Sequence, residues 1–513
     1  MLLFRSPARA LHADTVVVGA GSAGAVIAAR VTERSDRDVL LVEAGPDYPD
    51  REDLPEDLRN GGKNSMILHD WGYTHRPTRG AWIRHMFPRG RVVGGSSAVN
   101  TCIALRPRPY DLEEWAARGL PDWTWERCLP ALKRLERDLD FGHRTDIHGA
   151  DGPLPIRRHR PAELVPWQAA FLEACSREGF ARCEDHNDPA QTGAGPHAMN
   201  KIDGRRVSVA EAYLGPSVRA RENLRVLART VVRRVVFERG RARGLEVETD
   251  GVLRTVEAKT IVLSAGAVGT LAILLRSGIG PRADLDRLGV ELVRDVPAVG
   301  ARLLDHPGSA IFFRPRDPSL LRLDDPLIQC LCRWTSKGSP LPDDMQVQPG
   351  SLVPFPRHTF RYFSLMCSVG KPSGHGTIRF ASARIDAKPR IVSDMLGHAD
   401  DRRKLLEAVR LDFRLGTSAP MAELAEPFWP RKDVFRDDDA LLRALEQVTG
   451  SGYHPCGTVP MGEAVDGRGR FDGIEGLVVA DASLMPTVPS ANTNLTAILI
   501  GERFGEWLRD GGL

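Results

Sequence analysis

The stretch Asp14-Thr-Val-Val-Val-Gly19-Ala-Gly21-Ser-Ala-Gly24 decides how the chain is read. Thr15 to Val18 is an apolar run that predicts a buried parallel strand. It leads straight into Gly19-x-Gly21-x-x-Gly24, and Ala23 to Glu33 predicts a helix. Each glycine has a task in that geometry. Gly19 makes the tight turn, Gly21 lets backbone approach a pyrophosphate, and Gly24 lets helix pack close on strand. The helix N-terminus turns unpaired N–H groups and a positive dipole end toward phosphate, with Ser22 and Ala23 in the turn. A second strand, Asp38 to Val42, ends at Glu43-Ala44. An acid about 20 positions past the glycines is where ribose hydroxyls need an acceptor. Glu43 also repels a 2′-phosphate, which argues against NADP. A glycine triplet by itself occurs in many loops. Strand, glycines, helix, strand and acid in this order mark a dinucleotide site, without choosing between NAD and FAD.

A chain of 513 residues is long enough for two or more domains. Its hydrophobic share of 42% and charged share of 27% are ordinary for a soluble globular protein. The net charge of +3 gives no case for nucleic acid. Arg157-Arg158-His159-Arg160 and Arg233-Arg234 read as solvated faces. None of the eight cysteines forms a Cys-x-x-Cys pair, and Cys330 and Cys332 are expected on opposite faces of a strand, which is poor metal geometry, so no metal is expected. They read as free thiols of a reducing compartment. Met1 to Ala13 lacks the apolar core of a signal peptide, and no run of about 18 apolar residues offers a membrane span. The expected location is the cytoplasm. Nothing in the sequence sets the oligomeric state.

After Glu43 the chain makes a long Pro- and Gly-rich excursion over residues 45–62, then an aromatic, loop-like stretch over 71–86. Gly94-Gly95-Ser96-Ser97-Ala-Val-Asn100 has the composition of a backbone nest with hydroxyl donors, suited to phosphate or a flavin ring. Amphipathic core helices are predicted over 124–140 and 167–179. Residues 224–227, 231–237, 244–248 and 252–257 read as a β-meander. Thr260 to Ser264 returns as a separate buried strand ending in Ala265-Gly266-Ala267, with a helix starting near Gly269. Between about 311 and 449 short strands mix with helices, as expected of an α+β region holding a substrate pocket. The chain closes with a strand, Gly476 to Asp481, leading to Ala482, and a helix over 494–508. Asp481 thus falls at a strand's C-terminal edge, where doubly wound sheets bind ligands.

Two late polar residues suit alcohol oxidation: His454 in Ser451-Gly-Tyr-His-Pro-Cys-Gly-Thr458, and Asn492 in Pro489-Ser-Ala-Asn-Thr493. Imidazole can take a hydroxyl proton near neutral pH, and an amide can donate or accept without titrating. As one histidine among fourteen, His454 is not singled out by this pattern alone.

Taken together, several motifs resemble the glucose–methanol–choline (GMC) flavoprotein oxidoreductases. They are the glycine triplet, Gly90-Arg-Val-Val-Gly94-Gly95-Ser-Ser97-Ala-Val-Asn100, Ser264-Ala-Gly-Ala267 with Ser277-Gly-Ile-Gly-Pro281, Asp305-His-Pro307, His454-Pro-Cys-Gly-Thr and Asp481-Ala-Ser-Leu-Met-Pro486. The resemblance spans nearly the whole chain. It implies a discontinuous, doubly wound (Rossmann-like) FAD-binding domain over 13–155, 205–308 and 450–513. A discontinuous α+β substrate-binding domain would cover 156–204 and 309–449. It implies FAD, with Gly19, Gly21, Gly24 and Glu43 at the ADP part and Val232 backbone at the adenine. Gly94, Gly95, Ser97 and Asn100 would lie near pyrophosphate and isoalloxazine. Ala265, Gly266, Asp481, Ala482, Asn492 and Thr493 would complete the cofactor site. His454 and Asn492 match the family's catalytic pair. The implied reaction is oxidation of a primary or secondary alcohol, small or aromatic by analogy, by hydride transfer to flavin N5. A quinone, another carrier or O2 would reoxidise the flavin. The alternative within the family is a cyanohydrin lyase with flavin as scaffold. Light-driven relatives lack the His-Pro-x-Gly-Thr arrangement. Two departures stand out. Val99 occupies the position where some members tether FAD through histidine, which implies non-covalent FAD. Leu271 follows Thr270 where Pro or Ser is usual, so a slightly reshaped helix start is expected.

Overall fold

The structure is a computed structural model that describes residues 11–354 and 359–513. The reading of the first ten residues lies outside them. The opening strand Leu11–Val18 is centred in a seven-stranded sheet. On one side it pairs in parallel with Val39–Val42, which pairs in parallel with Leu224–Leu227. On the other it pairs in parallel with Val252–Leu263. That long strand forks: its first half takes Arg241–Thr249 antiparallel, and its last residues take Leu477–Val479 in parallel. Thr230–Glu238 closes the antiparallel edge. The strands flanked by helices are fully apolar, as Val39–Val42 shows, because both faces are covered. Helices Gly24–Val31 and Thr493–Arg509 pack on one another over the sheet, as the first strand–turn–helix reading requires.

Three expectations change here. Leu224–Leu227 is no meander strand but the far parallel edge, because its partner is Val39–Val42 and not its neighbour in sequence. Residues 252–257 and 260–264 form one strand. The change from alternating to continuous burial, which reads like a break, marks the strand leaving a half-solvated hairpin for the buried sheet. The helix predicted to 140 stops at Leu135, and Leu139 is exposed. Glu136 and Asp138 leave helical geometry to form a short strand within a buried ion cluster.

The second sheet is antiparallel, ordered Ala425–Trp429, Pro307–Pro315, Phe363–Val369, Met345–Gly350, Cys330–Trp334 and Gly193–Pro196. One face packs on helices Ala399–Thr417 and Pro166–Arg177 around Ile311, Phe313, Leu365 and Val347. Cys330 and Cys332, expected on opposite faces, instead share one, because residues two apart on a strand point the same way, and both are buried in that core. All eight cysteines are buried and free. The loop-like stretch over 71–86 holds strands Thr74–Arg76 and His85–Met86, extended by Arg390–Val392 and Thr377–Arg379. This small sheet ties the later region onto the first core, where Ile378, Phe380 and Ile391 are buried. No helix of the described residues is long and apolar enough to cross a membrane.

Arg158, expected on a solvated face, is buried. It binds Asp138 at 2.9 Å and Asp185 at 2.5 Å. Arg106 reaches Glu136 at 2.6 Å, and His148 lies 2.8 Å from both Glu136 and Asp185. Two guanidiniums and one imidazolium balance three carboxylates. Burial opposes the charge on His148, but Asp185 and Glu136 outweigh it and push its pKa up to about 9. A folded-state pKa above the unfolded value stabilises below the unfolded value, and that stability is lost as pH rises through about 9. We expect the melting-temperature gap between wild type and His148→Gln to be full at about pH 6 and to close by about pH 10.

Candidate active site

Two βα turns meet where the parallel strands end. Gly19 N donates to Val42 O, and Ser264 N to Val18 O. Gly19 has φ +96°, and a Cβ there would lie 2.5 Å from Ser264 O. A Cβ on Gly24 would lie 1.9 Å from Gly19 O, so helix and turn touch backbone to backbone. Gly21 is different: its Cβ would meet only Gly95 Cα, at 3.7 Å. It faces a cavity of about 960 Å³ that runs from this turn to the second sheet.

Most of the residues the sequence assigns to the cofactor line this one cavity. Gly19, Gly21, Ser22 and Ala23 do so from the first turn, and Glu43, Ala44 and Val232 from the neighbouring strand ends. Gly95, Asn100, Ala265 and Gly266 follow, then Asp481, Ala482, Asn492 and Thr493. Glu43 is buried, and its carboxylate accepts from Ala20 N at 2.9 Å and Gly45 N at 2.8 Å. Burial pushes its pKa up to about 7, against those N–H donors. Asp481 accepts from Gly266 N at 2.8 Å and Thr270 Oγ1 at 2.5 Å. Helix Gly266–Arg276 therefore starts intact despite Leu271, tied down by Thr270. Gly24, Gly94 and Ser97 lie behind the cavity wall. Residues 95–98 form a 3₁₀ turn, whose neighbours point about 120° apart, so Ser96 faces the cavity and Ser97 turns inward. The Ser97 hydroxyl donates to Gly94 O at 2.7 Å and accepts from Val209 N at 3.1 Å. It braces the nest from behind.

The cavity fits FAD on its own chemistry. Glycine turns on two adjacent strands approach it, and the helix Thr493–Arg509 begins at its wall. Asn494 Oδ1 accepts from Ser22 Oγ at 2.7 Å, while its buried Nδ2 has no partner among the described residues, a donor left over beside Gly21.

At the other end stand His454 and Asn492. Asn492 Nδ2 donates to His454 Nε2 at 3.0 Å. His306, whose motif the sequence shows without a role, lies behind. Its Nε2 is 3.0 Å from Gly370 O and 2.8 Å from Pro489 O. Carbonyls only accept, so Nε2 carries hydrogen. Burial lowers the His306 pKa to about 4, so the ring is neutral and its Nδ1 is bare. His454 Nδ1, 2.8 Å away, must donate to it. Burial, His306 and Arg89 hold the His454 pKa well below the ordinary value. Its Nε2 is then a bare lone pair facing the cavity, a tautomer assigned from its partners. Asp305 orients both rings through the backbone, accepting from His306 N at 2.8 Å and His454 N at 3.0 Å, with Ser451 on its other oxygen. Burial pushes the Asp305 pKa up to about 6.

Gly21→Val and Gly24→Val should separate cofactor room from packing room. Gly21→Val should fold with near-wild-type far-UV circular dichroism yet lose flavin absorbance. Gly24→Val should fail to yield soluble, folded protein.

Two models of the GMC oxidoreductase family match residues 13–308 and 372–501. Choline oxidase of Arthrobacter globiformis is 33% identical, over 97% of this chain and 94% of that protein. The 5-(hydroxymethyl)furfural oxidase of Methylovorus sp. (strain MP688) is 31% identical, over 96% and 98%. The crystal structure of pyridoxine 4-oxidase from Mesorbium loti superposes with a TM-score of 0.89 at 30% identity, over 96% of this chain and 98% of that one. The chain belongs to the GMC oxidoreductase family, with FAD as its cofactor and CH–OH groups as the site of its oxidation.

Proposed function

We propose that the protein oxidises a primary or secondary alcohol to the aldehyde or ketone, with His454 as general base and Asn492 as hydrogen-bonding partner of the substrate oxygen. The observation that carries this reading is the bare Nε2 of His454, presented to the cavity next to an amide donor. Bound in this cavity, FAD would supply the hydride acceptor at N5, with a quinone, another carrier or O2 as the final oxidant. The alcohol replaces the contact between Asn492 and His454, so its oxygen accepts from Asn492 Nδ2 and its proton points at His454 Nε2. As the proton transfers, His454 becomes imidazolium, and Nδ1–H stays on His306. Asp305 supports that charge from the backbone side.

FAD is held without a covalent bond in this reading, since Val99 lines the wall at the position that tethers it in some relatives. We also propose the division into the FAD-binding parts 13–155, 205–308 and 450–513 and the substrate-binding parts 156–204 and 309–449. The two main sheets, each with its own core, support it. Eight reduced, buried thiols suit a cytoplasmic enzyme. The cyanohydrin-lyase alternative would use the same base without bleaching the flavin. Anaerobic mixing with alcohols separates the two.

A positioned base contributes about 10²–10⁴ in rate, roughly 3–5 kcal/mol of barrier. We expect His454→Ala to slow anaerobic flavin reduction by that range with the flavin spectrum retained. A near-normal rate would remove His454 from this role. His306→Phe should slow reduction by at least about tenfold and shift the pH profile, because His454 can then adopt the wrong tautomer. His306→Gln, which keeps an acceptor and a donor, should recover part of the rate. Equal losses in both His306 variants, with unchanged pH profiles, would leave His306 a packing residue only.

A further inference from the structure

The inner face of the second sheet forms the far wall of the cavity, and strand register lays it out as a grid. Gly308 pairs with Ser368, which pairs with Gln346. Ala310 pairs with Met366, which pairs with Gln348. Phe312 pairs with Ser364. Alternation along each strand turns these side chains to the cavity and sends Ile311, Phe313, Val347 and Leu365 into the core. The first row adjoins Pro307 and His306, so it lies nearest the base. Rows are about 7 Å apart, the span from one end of a six-membered ring's substituents to the other.

Gln346 is only 7% exposed and Ser364 only 1%, yet neither side chain has a hydrogen-bond partner among the described residues. A buried amide and hydroxyl left open toward a cavity are expensive unless a ligand satisfies them. Gln348 Oε1 is held by His197 Nε2 at 3.1 Å, which leaves its NH2 group for a ligand. Phe312, Met366 and Trp429 give flat, polarisable surface beside these groups, with the Phe312 and Trp429 rings 6.4 Å apart. The carboxylates that line the cavity among the described residues are Glu43 and Asp481, both engaged by backbone N–H groups at the glycine turns. Arg89, by contrast, lies close enough to His454 to lower its pKa. The Phe428 ring, which also lines the cavity, already carries the Arg314 guanidinium at 4.9 Å and stacks on Tyr362. A cation entering here would be desolvated beside a like charge, with the lining carboxylates already engaged elsewhere.

Resting on the alcohol-oxidising reading above, we propose that the substrate is an uncharged alcohol on a flat ring that carries a second neutral hydrogen-bonding group, read by Gln346. Specificity arises because a buried, open amide rejects analogues that cannot pair with it, whereas an apolar contact discriminates weakly.

The test uses the FAD-loaded enzyme and anaerobic flavin reduction. Choline is compared with 3,3-dimethylbutan-1-ol, which has the same shape with carbon in place of the charged nitrogen. The neutral compound should show a ratio of flavin-reduction rate constant to substrate Kd at least about tenfold higher. Next, 1,4-benzenedimethanol is compared with benzyl alcohol in wild type and Gln346→Leu. The preference for the diol should fall at least about tenfold in the variant, mostly through Kd. Gln346→Glu should raise choline relative to its neutral isostere. Choline equal to or faster than the isostere in wild type overturns the proposal, as does an unchanged diol preference in Gln346→Leu. Flavin that no alcohol bleaches would instead overturn the alcohol-oxidising reading itself.

Discussion

Two backbone turns that touch set the geometry on which the rest depends. The first strand and the long strand Val252–Leu263 end side by side, and Gly19 approaches Ser264 more closely than any side chain would allow. Ser264 Oγ then donates to Ala480 O, drawing in the last strand and Asp481 behind it. The Gly94-Gly95 nest docks on the same turn, with Gly94 N donating to Ala20 O at 2.8 Å. Segments from four parts of the chain therefore converge at one strand edge, where N–H groups and helix starts favour a bound pyrophosphate.

The second convergence is electrostatic as much as steric. Asp305 sits on the segment that enters the substrate sheet, and His454 on the loop that returns to the FAD-binding sheet. One buried carboxylate takes backbone N–H groups from both sides. Burial alone would favour protonating it, but the paired donors stabilise its charge. The result is a neutral imidazole with a fixed tautomer. Its far nitrogen is committed to His306, and its near nitrogen is left for chemistry. The ordering of hydrogen bonds away from the cavity, ending at two carbonyls, decides which nitrogen carries no proton.

The readable parts of the chain were those with local grammar. Gly19, Gly21 and Gly24 sit between an apolar run and a helix, and their separate tasks follow from spacing. The fork of the long strand was not readable, because pairing partners lie hundreds of residues away and the burial change mimics a loop. The orientation of Ser97 was hidden for a similar reason: a 3₁₀ turn rotates neighbouring serines apart, and sequence spacing does not reveal that turn. Arg158 looked like part of a basic surface run and proved to be buried among carboxylates contributed by distant segments. His306 was visible in its motif but without a role, since the role exists only through Gly370, Pro489 and His454.

The sequence by itself determined the doubly wound FAD-binding sheet, the dinucleotide turn and the family, because each rests on spacing within a short window. Only the tertiary structure decided which histidine nitrogen carries no proton, which serine faces the cavity, and that Gln346 and Ser364 stand open, among the described residues, on a sheet face that offers no carboxylate there. Those properties depend on strand register and on hydrogen-bond partners brought together across the chain, and no local pattern encodes them.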